Sequence, residues 1–432
     1  MLAVLGFSTL ALFMLCVIRK WMTAFVAIIV IPAFFLLFTG QGAQLGEMIA
    51  AGIKTVAPTA VLLLFAVLYF GLMMDARLFD PLSRLIIRIS KGDPVNICVG
   101  TAVLACLVAL DGDGTTSYMI ICSAFLPLYK RLHINPLIIA TIATMALGTV
   151  SGTTPWGGAA TRAISILHLD ASQYFAGMIG PMVMSCAFVC LIAYVLGRQA
   201  RKAIDPAHIA QVSAQIMAES CHVEHGATWR TALNAALTVL LLVCLVAGIA
   251  NLMVLFIAGF VIALFVNVPR ASEQGAVIQR HAASAVPVVM LVLGAGVFTG
   301  ILTQTGMTTA MAEAFVGGLP DHLGSLIPLA TAVIGIPLSF FMANDAYFFG
   351  IVPVLAEMAG RYDIPAMDIA RAAVIGQMAH SIGPASAPLW ALLGIIKADL
   401  GDFQKFAWKW VLLGSLAYLG FAVLTGAISV ST

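Results

Sequence analysis

Four short strings of polar and glycine residues interrupt a chain that is otherwise strongly apolar. LDGDGTTSY occupies residues 110–118, and SGTTPWGG occupies residues 151–158. In the second half, FFMANDAYFFG occupies residues 340–350, and HSIGPASAP occupies residues 380–388. Irregular backbone at membrane depth is tolerated only where protein buries it or where it lines a wet cavity. Two matched pairs of breaks therefore predict a transport site.

A broken helix leaves unpaired N–H groups at one end, which attract carboxylates, and unpaired C=O groups at the other, which attract cations. Side chains at the strings add hydrogen-bonding groups: Thr115, Thr116, Thr153, Thr154, Asn344, Ser381 and Ser386. Other string residues break the helix or let backbone approach a ligand closely: Gly112, Gly114, Pro155, Gly157 and Gly383. All of these are predicted substrate-binding residues, and the set suits a small anion with several oxygens, accompanied by a cation.

Three carboxylates lie within the strings, at Asp111, Asp113 and Asp345. A charged carboxylate at bilayer depth costs about 2.5–3.5 kcal/mol even on the lenient insertion scale. Asp113 and Asp345 are therefore predicted to handle protons or cations, with Asp111 nearby, and all three are predicted to contact substrate. The alternative for one aspartate is a cap on the half-helix that begins at Gly114, with no role in transport.

Two basic side chains near the strings leave alternatives open. His380 lies at a break and is a candidate for proton coupling and substrate binding, or its ring is satisfied by a backbone carbonyl. Arg162 follows the break of the first half and either offsets substrate charge or lies at the outer interface.

The string CHVEH, residues 221–225, has two interpretations, a metal-binding cluster and a solvated loop. The loop is favoured because a closed metal site needs a fourth ligand.

Composition indicates an all-α integral membrane protein. Hydrophobic residues make up 62% of the 432 residues, charged residues 9%, and mean hydropathy is +1.06. The apolar runs leave room for about ten transmembrane helices plus two re-entrant hairpins. No P-loop lysine follows a glycine run and no nucleophile–base pair is recognisable, so an ATP-driven pump and an enzyme are disfavoured. No nucleic-acid partner is expected.

The chain divides into two halves that match at a shift of about 229 residues, a sign of an internal repeat. The first repeat covers residues 1–197, with a hairpin at 94–130 and a broken helix at 135–165. A cytoplasmic linker covers 198–228. The second repeat covers 229–432, with a hairpin at 322–360 and a broken helix at 365–396. Residues 40–56 are predicted to form a short amphipathic link before a span that begins at Pro58. Asp113 aligns with Asp345 if a three-residue insertion is allowed.

Basic residues set the orientation. With both termini outside, the loops on the outer side hold only Lys54 and Arg361. This is a strong positive-inside asymmetry for a bacterial cytoplasmic (inner) membrane protein. The two hairpins then open to opposite sides, so the repeats are inverted, an arrangement that places a substrate site at the midplane.

The four strings, in this order, resemble those of the citrate–metal:proton symporter family (CitMHS), part of the ion-transporter superfamily. The resemblance runs from Met1 to the last span. It implies proton-coupled uptake of citrate complexed with a divalent ion such as Mg²⁺ or Ca²⁺, with no permanently bound cofactor. It also implies a homodimer whose hairpins and broken helices move as an elevator across a scaffold. Asp111, Asp113 and Asp345 would meet the metal of the metal–citrate complex while helix ends hold the carboxylates.

Other functions remain open from the residues alone. One alternative is that the carried anion is another di- or tricarboxylate, such as tricarballylate, coupled to protons or sodium. A third possibility is a cation/proton antiporter or channel that uses the paired aspartates.

Overall fold

The computed structural model describes residues 1–220, 229–246, 249–316, 321–342 and 344–429. Every regular element in these ranges is helical, as predicted. The α-helices are, in chain order, α1 (Leu2–Ile18), α2 (Ala24–Leu36), α3 (Leu45–Asp75), α4 (Asp80–Ser90), α5 (Pro94–Val108), α6 (Gly114–Arg131), α7 (Pro136–Thr153), α8 (Gly158–Ile166), α9 (Ala171–Ala203), α10 (Pro206–Ser220), α11 (Trp229–Val246), α12 (Leu252–Asn267), α13 (Ala271–Gln304), α14 (Met307–Val316), α15 (Ile327–Phe341), α16 (Asn344–Ala346), α17 (Val352–Gly360), α18 (Ala366–Gly376), α19 (Ala387–Ile396) and α20 (Leu400–Leu424).

Within the described ranges, 8 helical segments are long and apolar enough to cross a membrane. They are Gly42–Asp75, Pro94–Asp111, Pro136–Ile166, Ala171–Ala203, Ala271–Gln304, Gly324–Phe341, Ala366–Ile396 and Leu400–Leu424. Four shorter apolar helices accompany them: Leu2–Val17, Ala24–Thr39, Trp229–Cys244 and Leu252–Asn267. The sequence predicts about ten spans and two hairpins, and the first arms of both predicted hairpins are among the 8 segments.

Polar caps begin the helices that surround the four strings. Each cap is a side chain that accepts a hydrogen bond from a backbone N–H in the first turn, which would otherwise be unpaired. The caps are Asp93 for α5, Asn135 for α7, Asp170 for α9 and Asp399 for α20. Pro94 and Pro136 follow two of them at the first helical position, where the missing N–H costs nothing.

Helices α3 and α13 pack against each other through glycine. A Cβ atom added to Gly52 would lie 1.9 Å from the carbonyl oxygen of Gly296, and one added to Gly300 would lie 2.4 Å from that of Met48. Backbone therefore meets backbone here. The link predicted over residues 40–56 is wrong from Leu45 onward, because α3 runs through Pro58 without ending.

Helices α11 and α12 are joined by a reciprocal pair of amides. Asn234 Nδ2 donates to Asn267 Oδ1 at 2.8 Å, and Asn267 Nδ2 donates to Asn234 Oδ1 at 2.9 Å. Asn234 is buried among apolar residues, where an unpaired amide would be costly. The pair satisfies both side chains and fixes the register between the two helices.

Helix boundaries in the second half follow those of the first at a nearly constant shift. Four pairs of helix ends are each about 229 positions apart, a spacing typical of an internal repeat: Asp75 and Gln304, Arg131 and Gly360, Gly158 and Ala387, and Ala171 and Leu400. No insertion is needed in the hairpin tips. At this shift Asp345 takes the place of Thr116, inside the helix, and not that of Asp113, which precedes it.

Candidate functional site

The tip of the first hairpin, between α5 and α6, satisfies its own carboxylates. Asp111 is buried, and its Oδ1 atom accepts from the Asp113 N–H and from Ser117 Oγ, both at 2.9 Å. Asp113 is exposed and caps α6, where Oδ2 accepts from the Thr116 N–H at 2.9 Å and also from the Thr116 hydroxyl. Gly112 has a φ of +82°, a left-handed conformation that favours glycine.

This tip packs onto the helix break of its own half. Ser151 Oγ donates to the Gly112 carbonyl at 3.0 Å, and Trp156 Nε1 donates to the Leu110 carbonyl at 2.7 Å. The tip also touches the other half, because a Cβ atom added to Gly114 would lie 2.9 Å from Pro388. The first hairpin tip thus meets both predicted breaks.

The break between α7 and α8 is held together by hydroxyls and close backbone contact. Thr153 Oγ1 donates to the Thr149 carbonyl at 2.5 Å and lies 2.5 Å from the Tyr418 hydroxyl of α20. Thr154 is buried, and Thr161 Oγ1 donates to the Pro155 carbonyl at 3.0 Å. A Cβ atom on Gly157 would lie 1.6 Å from the Ser151 carbonyl oxygen, so glycine is required.

The tip of the second hairpin, between α15 and α17, reaches across to the first half. Arg162 Nε in α8 donates to Asp345 Oδ1 at 2.6 Å, and both side chains are about four-fifths buried. The same guanidinium donates from Nη1 to the Gly158 carbonyl at 2.5 Å. Beside this ion pair, Asn344 Oδ1 is buried with no hydrogen-bond partner among the described residues. Arg162 therefore has a charged partner in the other half, and both alternatives for its role stay predictions.

The break between α18 and α19 is a 3₁₀ segment, Gln377–Ile382. His380 Nδ1 donates to the Ser339 carbonyl at 3.1 Å, which assigns the proton to Nδ1 and leaves Nε2 free of this bond. Ser381 Oγ donates to the Met378 carbonyl at 2.7 Å, and Ser386 is buried just before α19. A Cβ atom on Gly383 would lie 2.5 Å from the Phe340 carbonyl oxygen, so this break packs on its own hairpin.

Comparison with known families settles what kind of protein this is. The sequence profile of the CitMHS family, described as citrate transporter, matches residues 10–376. This chain belongs to the citrate transporter family. The resemblance predicted from the four strings is thus confirmed. With 8 apolar segments in the described part of the chain, this member of the citrate transporter family is a multi-pass membrane transporter and not an enzyme.

Three proteins of Bacillus subtilis (strain 168) are similar to this citrate transporter family member along their full length. The uncharacterized transporter YraO is 45% identical over 437 residues, which is 100% of both chains. A citrate transporter is 43% identical over 99% of this chain and 100% of its own. A Mg(2+)/citrate complex secondary transporter is 42% identical over 100% of both chains.

A solved transporter shares the fold. The crystal structure of the Alcanivorax borkumensis YdaH transporter superposes with a TM-score of 0.61. The superposition covers 89% of this chain and 88% of that chain at 15% identity. The similarity therefore extends to nearly all of the helical architecture of the citrate transporter family member.

The site of this family member includes groups that the sequence did not single out. Gln377 is buried at the second break with an unpaired carboxamide, and its only sequence signal is a polar residue three positions before His380. Among the described residues, no three His, Cys, Asp or Glu side chains form a group able to hold a metal. The CHVEH string lies outside the described residues. Roles for Asp111, Asp113 and Asp345 toward a metal thus stay predictions.

Proposed function

We propose that this protein is a secondary active transporter that takes up citrate complexed with a divalent metal ion, coupled to protons. The observation that carries the proposal is the Arg162–Asp345 ion pair, 2.6 Å long, between the tip of one half and the break of the other. The printed name of a full-length relative, a Mg(2+)/citrate complex secondary transporter, supports the same substrate.

An ion pair suits a ligand that itself carries both signs of charge. Citrate with three negative charges and a divalent ion has a net charge near −1, but the metal and the free carboxylates keep their local charges. On binding, the Arg162 guanidinium can turn from Asp345 to a substrate carboxylate, to which two parallel hydrogen bonds are available. Asp345 then faces the metal, since Mg²⁺ and Ca²⁺ take oxygen ligands. Each partner exchanges one opposite charge for another, so neither is left unpaired in a poorly hydrated place.

The remaining site residues complete this arrangement as proposals. Backbone and side-chain donors at the tips and breaks would hold citrate oxygens: Gly112, Gly114, Thr115, Thr116, Thr153, Thr154, Gly157, Asn344, Ser381, Gly383 and Ser386. The buried Oδ1 atom of Asn344, which has no partner in the described structure, is an acceptor and would face the metal ion of the complex. Protons would be carried by Asp113, Asp345 and the imidazole ring of His380, whose Nδ1 donates to the Ser339 carbonyl.

The proposed transport cycle uses two inverted repeats that move as an elevator. Helix ends that recur at a constant shift support the repeats, and the glycine contact between α3 and α13 supports a rigid scaffold. The hairpins and broken helices would carry the substrate across this scaffold. We further propose a homodimer in the bacterial cytoplasmic membrane with both termini outside, as the distribution of Lys and Arg favours.

Uptake by proteoliposomes tests the proposal. Radiolabelled citrate is supplied outside with Mg²⁺ or Ca²⁺, under an inward proton gradient of about one pH unit. We expect uptake that falls to background with EDTA and with a protonophore. Full uptake in EDTA would contradict a metal–citrate substrate, and uptake that follows a sodium gradient would contradict proton coupling. Metal flux without any organic anion would indicate an antiporter or channel.

A further inference from the structure

Gln377 is a buried polar residue that the helices around it leave unsatisfied. Its side chain is 4% exposed, and neither Nε2 nor Oε1 has a hydrogen-bond partner among the described residues. A carboxamide buried in this way is unfavourable compared with Met or Leu of similar volume, because both atoms have lost their hydrogen bonds to water. A partner from outside the chain would remove this penalty.

The 3₁₀ segment that contains Gln377 determines which side it faces. In a 3₁₀ helix, residues three apart share a face, so Gln377 lies on the same face as His380. The next residue, Met378, lies on a different face, which packs against α7 and α20. A Cβ atom on Gly148 of α7 would lie 3.1 Å from Met378, and one on Gly414 of α20 would lie 3.1 Å from the Met378 sulfur.

The face shared with His380 is the one that belongs to the site. His380 donates to the Ser339 carbonyl in the second hairpin. The tip of that hairpin carries Asp345, which pairs with Arg162 at one of the contacts between the two halves. Gln377 is thus an unpaired donor and acceptor on a face that contacts the hairpin holding this ion pair.

We propose that the Gln377 carboxamide binds the hydroxyl group of the carried hydroxycarboxylate, an inference that rests on the proposed function. Carboxylate oxygens only accept hydrogen bonds, and Arg162 and the helix N-termini serve them. A hydroxyl group both donates and accepts, and a carboxamide offers both complementary functions on one side chain. Gln377 would therefore select a 2-hydroxy acid over an otherwise identical acid without the hydroxyl.

Citrate and tricarballylate, which differ by that hydroxyl, test the proposal. We measure the KM of citrate uptake and the Ki of tricarballylate as competitor, with free Mg²⁺ adjusted so that equal concentrations of each complex are present. For Gln377→Met we expect the citrate KM to rise by about tenfold or more, while the tricarballylate Ki changes by less than about threefold. Gln377→Asn, which keeps the amide, should recover part of the citrate preference.

Gln404 offers the matched control, since its Nε2 already donates to the Ile382 carbonyl at 2.9 Å beside the same break. Gln404→Met should lower the thermal midpoint but leave the citrate-to-tricarballylate ratio unchanged. Equal losses for both ligands in Gln377→Met would overturn the inference and indicate a residue that only binds buried water. Wild-type protein that takes up no metal–citrate would instead overturn the proposed function. If Gln377→Met does not fold, Gln377→Ala, which also removes the amide, takes its place, and an unchanged citrate-to-tricarballylate ratio in that variant overturns the inference.

Discussion

The two hairpin tips are built in opposite ways. In the first, Asp111 and Asp113 bind groups of their own tip, with partners no more than six residues away. In the second, Asp345 binds Arg162 of the other half, 183 residues away, and Asn344 Oδ1 binds nothing among the described residues. The first tip can form by itself, whereas the second is complete only when the halves meet. The proposed exchange of partners on substrate binding therefore involves the second tip, whose ion pair joins the two halves, and not the first, whose bonds are local.

Helix register explains the difference. Asp113 stands just before α6, where a carboxylate is used as a cap. Asp345 stands inside the first turns of its helix, in the position that Thr116 holds in the first hairpin. From there its side chain projects from the helix surface and reaches Arg162.

Neutralising the cross-half pair should have the largest effect. Arg162→Gln leaves Asp345 with an uncompensated charge in a largely buried place, and Asp345→Asn does the same to Arg162. We expect each to reduce citrate uptake by about a hundredfold or more, on the basis that one buried charge without a partner costs about 3–5 kcal/mol.

The double variant Arg162→Gln with Asp345→Asn separates folding from transport. It should regain the thermal midpoint lost in the single variants and remain inactive. If the double variant transports at the wild-type rate, the ion pair has only a structural role.

Asp113→Asn sharpens the comparison at the first tip. Asparagine caps helices as well as aspartate does, so the thermal midpoint should stay within experimental error. If Asp113 handles protons or cations, uptake should still fall by about tenfold or more. Loss of a positioned proton-transfer group typically costs about 10²–10⁴-fold, so tenfold is a lower bound. A wild-type rate would leave Asp113 with the capping role alone.

Asp111→Asn should act mainly on stability. Asp111 accepts two hydrogen bonds in a buried position, and a hydrogen bond contributes about 0.5–1.5 kcal/mol to stability. The substitution, which perturbs both bonds, should lower the thermal midpoint in detergent by several degrees, with a smaller effect on the citrate KM. Ser117→Ala, which removes one of the same two bonds, should show a smaller drop in the same direction.

The smallest effect is expected at His168, which follows the helix that carries Arg162. His168 is exposed at the surface, and partial desolvation of its ring lowers its pKa below the ordinary value of 6.5. The folded protein therefore binds fewer protons than the unfolded chain as pH falls through about 6.5, so this contribution to stability is present above that pH and is lost below it. His168→Asn should make the thermal midpoint less sensitive between pH 7.5 and 5.5. Asparagine also tolerates the left-handed backbone there, with φ of 54°.

Much of this architecture follows from local pattern. The strings marked where helices end, because glycine, proline and serine cannot continue an apolar helix cheaply, and the family resemblance carried by them is confirmed. The partner of Asp345 was not predictable, since no periodicity relates Arg162 to a residue 183 positions away. At Pro58 the sequence predicts a helix boundary that does not exist, because α3 continues through this proline. The one sequence signal of Gln377, a polar residue three positions before His380, does not distinguish it from other polar residues without knowledge of its burial.

The contact of Gly52 with Gly296 restricts how such a protein can work. Two helices whose main chains touch have no layer of side chains between them that could be rearranged, so they behave as one rigid unit. Alternating access of the site to the two sides of the membrane must therefore come from movement of the other helices relative to this pair. Gly52→Ala would force the two main chains apart at this contact, and the displacement would extend to every helix that packs against α3 and α13.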